Sequence, residues 1–366
     1  MPSPRPNIQQ LTAYAPGEQP TRSGTVIKLN TNESPYPPSP KSLDALRGVS
    51  AEALRVYPPP LAQPFRRAAA EVHGVTPDQV IATNGGDELL RLLITTYCNP
   101  GGTTSGGLGV TTPSYSLYPV LAAIHDTPVC MVERDAEYAL PQDLAERWND
   151  AGCTLAMLVN PHAPTGTAVS VDLLRTIAQK FTGLLMVDEA YVDFAQGDAL
   201  GLVREGVENV VLLRTMSKGY GLAGMRFGYG LGPAAVIAAL DKARDSYNTD
   251  IVSQHVAAAA LQDRAYARQV WDKVTESRQA LTQALRKRGF HVFDSEANFL
   301  LCTPPTTTKT RLVTDKPVAS TLYAQLKDRG ILVRYFDQPR LDDKLRITIG
   351  TPEQNNALLE ALDDLI

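Results

Sequence analysis

The sequence predicts an α/β protein: a large unit with a mostly parallel sheet covered by helices on both faces, then a smaller α+β unit. Three observations carry this expectation. Between about residues 64 and 230, short apolar runs (Leu155–Val159, Leu184–Val187, Val210–Leu213) alternate with amphipathic helical patterns. The runs lack polar alternation, so the strands they form are covered on both sides. From about residue 233 helical patterns dominate, interrupted by three further strand signals.

Taken in order, residues 1–40 read as an extended arm. Prolines crowd from Pro35 to Pro40 and again at Pro58, Pro59 and Pro60, and each removes a backbone donor. Val26, Ile27 and Leu29 suit one short strand. From Asp87 to Tyr97, the residues Leu89, Leu90, Leu92, Leu93, Ile94 and Tyr97 form an apolar stripe, a helix with Asp87 near its start. Val171, Leu174, Ile177, Ala178 and Phe181 repeat with helical spacing, and Gly183 ends that helix. Gln254–Gln262 and Trp271–Arg288 are the next helices. Strands are expected at Asn298–Cys302, Ile331–Tyr335 and Leu345–Ile349, and a terminal helix from about Pro352 to Leu365. The glycine-rich segment Gly101–Gly109 and the Thr- and Pro-rich segment 303–318 read as loops. The resulting division is an arm over 1–40, a large domain over 41–250 and a small domain over 251–366.

Composition narrows the function. The 366 residues carry 35 Lys+Arg against 39 Asp+Glu, a net charge of −4. That balance gives no global attraction to nucleic acid or anionic lipid. Cys98, Cys130, Cys153 and Cys302 contain no CxxC pair, which argues against a zinc ribbon or a disulfide scaffold and fits buried thiols in a reducing cytoplasm. The five histidines show no HxxxH spacing, so no metal site is expected. The start of the chain has no apolar signal-peptide core, and no run of about 18 apolar residues exists to span a bilayer.

In a parallel sheet the binding crevice lies beyond the carboxyl ends of the strands. Unlike polar residues gather there: Asn84-Gly85-Gly86 before the Asp87 helix, Asn160 to Gly166, Asp188-Glu189-Ala190-Tyr191, and Arg214 to Gly219, with Arg226 eight residues past Lys218. Each segment alone is ordinary turn or surface composition. Together they suit pyridoxal phosphate. Gly85-Gly86 lets backbone N–H groups at a helix start approach a phosphate, which Ser217 and Arg226 complete. The aldehyde needs an amine, Lys218. The ring nitrogen stays protonated only beside a carboxylate, Asp188, and Tyr191 can donate to the 3′ oxygen.

The chain resembles the fold-type I pyridoxal-phosphate aminotransferases, and more narrowly the histidinol-phosphate aminotransferase branch, over almost its full length. The matching pieces include Leu11 to Tyr14, Leu29-Asn30-Thr31-Asn32-Glu33-Ser34-Pro35-Tyr36-Pro37, Tyr57-Pro58, Asn84 to Glu88 and Thr112-Pro113-Ser114-Tyr115. Val187 to Tyr191, Ser217 to Gly228 and Leu345 to Gly350 follow. The resemblance implies that Lys218, Asp188 and Tyr191 are catalytic. It implies that Gly86, Asp87, Ser217 and Arg226 hold the phosphate, that Tyr115 stacks on the ring, and that Tyr57 reaches the phosphate from the other subunit of a homodimer. Tyr14, Asn32, Arg334 and Arg346 are the implied substrate residues, and the arm is expected to pack with the small domain. The implied activity moves an amino group from L-histidinol phosphate to 2-oxoglutarate. An aromatic aminotransferase and a phosphothreonine decarboxylase-like lyase share the pattern. A cofactor-sensing regulator would need a DNA-binding unit ahead of the body, and some 40 proline-rich residues are too few for one. One position departs from the branch, which usually reads Asn-Pro-Thr-Gly with that Asn on the 3′ oxygen. Here Ala163 precedes Pro164, leaving Asn160 or His162 as candidate replacements.

Overall fold

A computed structural model describes residues 2–14, 17–20, 26–101, 105–306 and 317–366. Seven strands form its central sheet in the spatial order Val80–Thr83, Gly228–Leu231, Val210–Thr215, Leu184–Asp188, Cys153–Val159, Gly107–Thr112, Val129–Glu133. Only Gly228–Leu231 runs antiparallel to its neighbours; the others share one direction. The three apolar runs are the central strands, buried along nearly their whole length. Helices cover both faces. One core cluster gathers Phe65, Trp148 and Phe181, and the other Leu89, Leu93 and Tyr118.

The helices begin where local chemistry caps them. Ser170 accepts from Leu173 N ahead of Val171–Lys180, and Asp250 accepts from Ser253 N ahead of Ile251–Gln262. Thr351 and Gln354 form a reciprocal capping box before Pro352–Leu365. The longest helix, Arg264–Lys287, starts a full two turns before the expected Trp271. Its buried face (Ala267, Val270, Val274, Arg278, Leu281, Leu285) keeps a three-four spacing, and the early part packs on Tyr220. Trp271 Nε1 donates to Gly219 O at 2.8 Å, and Arg278 Nη1 to Phe194 O and Ala297 O at 3.1 and 2.8 Å. This helix fixes the C-terminal sheet to the strand ends of the central one.

The C-terminal sheet has four antiparallel strands in the order Arg334–Tyr335, Leu345–Thr348, Phe299–Thr303, His291–Val292. The expected strand Ile331–Tyr335 is two. Ile331–Leu332 pairs in parallel with Ile27–Lys28 of the arm, and beyond Val333 the chain pairs with Leu345–Thr348 instead. The arm thereby joins the C-terminal unit. The glycine-rich segment also differs from its expectation, because Gly107–Thr112 is a buried strand. A Cβ on Gly109 would lie 2.7 Å from Trp148, so glycine makes room for the indole there. Residues 102–104 of that segment, and 307–316 of the polar segment 303–318, lie outside the described residues.

Candidate active site

The polar segments at the carboxyl ends of the sheet, the arm and the C-terminal sheet surround one cavity of about 800 Å³. The residues that the resemblance assigns to cofactor and substrate line it except Tyr57, which is 79% exposed and stacks on Tyr247 with ring centroids 4.5 Å apart; Gly85, Asn160 and His162 are not on its wall.

One corner is built to take an anion. The strand Val80–Thr83 turns at Asn84 into the helix Gly85–Tyr97, with Thr83 Oγ1 donating to Gly85 O at 2.9 Å. Gly85 has φ +74°, and a Cβ there would sit 2.8 Å from Arg226 Nη2. The guanidinium therefore lies against the helix start, with Asp87 Oδ2 3.5 Å away. Ser217 is buried and lines the same cavity, its N–H bound to Thr215 Oγ1. The N–H groups of a helix start and a cation meet there.

Deeper in, two opposite charges face the cavity. Asp188 ends a central strand and is buried. Its carboxylate accepts from the Tyr118 hydroxyl at 2.7 Å and from Ala190 N at 3.0 Å. Burial outweighs these donors and pushes its pKa up to about 6. Lys218, just past the next strand, donates from Nζ to Thr31 O of the arm at 3.0 Å. Burial, then the nearby Arg346 cation, pull its pKa down to about 8. Neither residue forms an ion pair among the described residues. A cationic ring nitrogen at Asp188 and an aldehyde at Lys218 would relieve both penalties, and the Arg226 corner lines the same cavity. The residues present fit pyridoxal phosphate.

The opposite wall carries cations. Arg334 and Arg346 stand directly across from each other in the antiparallel register, where like charges ordinarily repel. The Arg346 guanidinium lies over Phe299 and Phe336 at 5.3 and 5.4 Å, and Arg334 over Phe336 at 5.4 Å. Arg346 Nη2 donates to Asn30 O at 3.1 Å, while its buried Nε has no partner. Neither arginine meets a carboxylate among the described residues. Tyr14 and Tyr115 close this side edge to face, their centroids 6.1 Å apart.

Both candidate replacements for the missing asparagine are committed elsewhere. His162 holds Thr165 Oγ1 through Nδ1 and Pro113 O through Nε2, and Asn160 exchanges two hydrogen bonds with Val169. Tyr118, Phe299, Phe336 and Thr348 escaped the sequence reading. Tyr118 sits three residues past Tyr115 within a helix, and only the fold carries it to Asp188, 70 residues away.

Comparison with known proteins agrees with this geometry. The family described as "Aminotransferase class I and II" matches residues 24–362. Histidinol-phosphate aminotransferase 1 of Trichormus variabilis is 44% identical over 362 residues, 99% of this chain and 98% of that protein. The histidinol-phosphate aminotransferase of Geotalea uraniireducens is 40% identical over 361 residues, 99% of each. Among solved structures, histidinol-phosphate aminotransferase from Sinorhizobium meliloti in complex with pyridoxal-5′-phosphate superposes with a TM-score of 0.85 at 26% identity, covering 98% of this chain and 95% of that one. A match spanning all but the chain's two ends, over a cavity whose lysine and aspartate have no ion-pair partner among the described residues, places this protein in the aminotransferase class I and II family.

Proposed function

We propose that the protein transfers an amino group between L-histidinol phosphate and 2-oxoglutarate, giving imidazole acetol phosphate and L-glutamate, with pyridoxal phosphate as cofactor. The observation that carries this reading is the unpaired Lys218–Asp188 couple in one cavity, faced by two arginines with no carboxylate. The full-length relatives named for this activity supply the substrate.

When bound, pyridoxal phosphate supplies the carbonyl carbon that takes up the amino group and a ring that draws electron density from it. Gly86, Asp87, Ser217 and Arg226 would hold its phosphate, Tyr115 would cover the ring and Tyr191 would donate to its 3′ oxygen. Asp188 would supply the negative charge for the ring nitrogen, and Tyr118 fixes the orientation of that carboxylate. Lys218 Nζ is the amine. With its pKa pulled down to about 8, it holds or gives up a proton near neutral pH, as a proton-moving group must. Arg346 and Arg334 take the anionic end of either substrate. Glutamate brings a carboxylate there and histidinol phosphate a phosphate, and an arginine fork pairs with both. Burial of Asp188 strengthens its charge interactions.

The reading includes a cytoplasmic homodimer in which Tyr57, exposed here, reaches the phosphate of a second copy. It keeps the division into an arm, a large domain over 41–250 and a small domain over 251–366. A donor panel tests the substrate: histidinol phosphate, phenylalanine, tyrosine and phosphothreonine, each assayed for glutamate formed from 2-oxoglutarate and for CO₂ released. Histidinol phosphate should lead in kcat/KM with no CO₂. A faster aromatic donor, or CO₂ from phosphothreonine, would overturn the assignment.

A further inference from the structure

Three side chains from three separate parts of the chain meet beside Ala163. Asn32 of the arm is buried in the left-handed region at φ 55°, which asparagine tolerates better than most residues. Its backbone N–H donates to Thr348 Oγ1 at 3.0 Å. The Thr348 hydroxyl has one proton, and its acceptor is Asn32 Oδ1 at 3.1 Å. Turning the amide over would leave that buried proton without an acceptor, so the amide is held one way round. Its Nδ2 then donates to the Tyr191 hydroxyl oxygen at 3.1 Å. Asn298 Nδ2 bonds Asn32 O at 3.0 Å and holds the backbone from the other side.

The consequence is a direction. Tyr191 accepts from Asn32, so its own phenolic proton is free to point into the cavity it lines. Ala163 packs in the same small apolar cluster as Tyr191 and Phe299 and offers no donor. We propose that Thr348 and Asn32 are positioning residues that aim the Tyr191 proton into the cavity, at a site where the Ala163 side chain adds no second donor. This rests on the reading that the cavity holds pyridoxal phosphate with its 3′ oxygen at Tyr191.

A donor on that oxygen favours its anionic form, so it lowers the pH midpoint of the bound cofactor's visible absorbance. The test titrates that absorbance in the holoenzyme. Tyr191→Phe sets the full effect, an upward shift of about 0.5–1 pH unit for one hydrogen bond. In Thr348→Val the amide is free to turn and capture the tyrosine proton. The midpoint should rise toward that of Tyr191→Phe, whereas Thr348→Ser should keep the wild-type value. Asn32→Gly retains the backbone conformation, removes the orienting donor and should shift the midpoint the same way. The charged groups around Tyr191, namely Asp188, Lys218 and Arg346, are the same in all these variants. Ala163→Asn, combined with Thr348→Val, should bring the midpoint back. A wild-type midpoint in folded, cofactor-loaded Thr348→Val or Asn32→Gly overturns the relay and leaves the cofactor reading intact. Failure of the wild-type protein to take up pyridoxal phosphate overturns both.

Discussion

Beneath the strand ends and across the cavity from them, the protein treats a buried and a half-buried arginine in opposite ways. Arg214, on a central strand, is matched by two carboxylates: Glu189 at 2.7 Å and Asp198 at 2.9 Å. Arg346, on the C-terminal sheet, has aromatic rings, one carbonyl and an unpartnered Nε. The first arrangement is complete within the chain. The second leaves a cation without a carboxylate among the described residues, which the proposed function assigns to an anionic substrate. The same contrast separates Asp188 and Lys218, each without an opposite charge of its own, from the matched network below them. What a region leaves uncompensated states the charge of what it binds.

The largest effect should come from Lys218→Ala. Removing the group that moves the proton should lower turnover by at least about 10⁴-fold, with the fold intact by circular dichroism. Retention of more than a hundredth of the activity would place the chemistry elsewhere. Next comes Arg214→Met, which strands a buried Glu189 and should cost about 3–5 kcal/mol of unfolding free energy. Arg346→Met, with no carboxylate to strand, should cost far less in the same denaturant titration. Equal losses would erase the distinction between the two walls.

Asp188→Asn separates function from stability. Turnover should fall about 10²–10³-fold, as expected when a charge aligned with the developing transition state is removed. The cofactor-free protein should gain. Burial raises the Asp188 carboxyl pKa to about 6 from an ordinary 3.8. Its charged form is therefore penalised above pH 6, while below about pH 4 it is neutral in both folded and unfolded states. The variant should be more stable than wild type by about 2–3 kcal/mol at pH 8, with the gap closing as the pH falls through 6. A gap that widens toward pH 4 would contradict the burial argument. The smallest effect is Arg346→Lys, where a point charge replaces a fork. It should lower kcat/KM by about 10- to 150-fold for both the amine and the 2-oxo acid, the worth of one charge-assisted bond. A loss confined to one substrate would assign Arg346 to that substrate alone.

The two walls were also unequally legible in the sequence. On the sheet side, Asp188 and Lys218 follow apolar runs that announce buried strands, so their place at strand ends could be read directly, and Gly86 could be placed at the start of the Asp87 helix. On the other side, Arg334 sits in a stretch that looks like one strand, and its pairing with Arg346 depends on the break at Val333, which no local pattern marks. Glycine hid another strand. Gly107 and Gly109 fall in a segment that reads as a loop, yet they lie in a sheet where a neighbour fills the space of a side chain; the strand Gly228–Leu231, with Gly228 and Gly230, is built the same way. Tyr118 and Thr348 were invisible for a different reason: their partners, Asp188 and Asn32, lie 70 and 316 residues away. Contacts that the topology makes leave no periodicity to detect.

The central claim is that Lys218 is the amine held ready, uncharged at modest cost, for the cofactor. Reduction of the pyridoxal-phosphate-loaded protein with borohydride, followed by peptide mapping, tests it most directly. The account predicts one stoichiometric label on the peptide containing Ser217-Lys218-Gly219, and none there in Lys218→Ala. A stoichiometric label on any other lysine would contradict it.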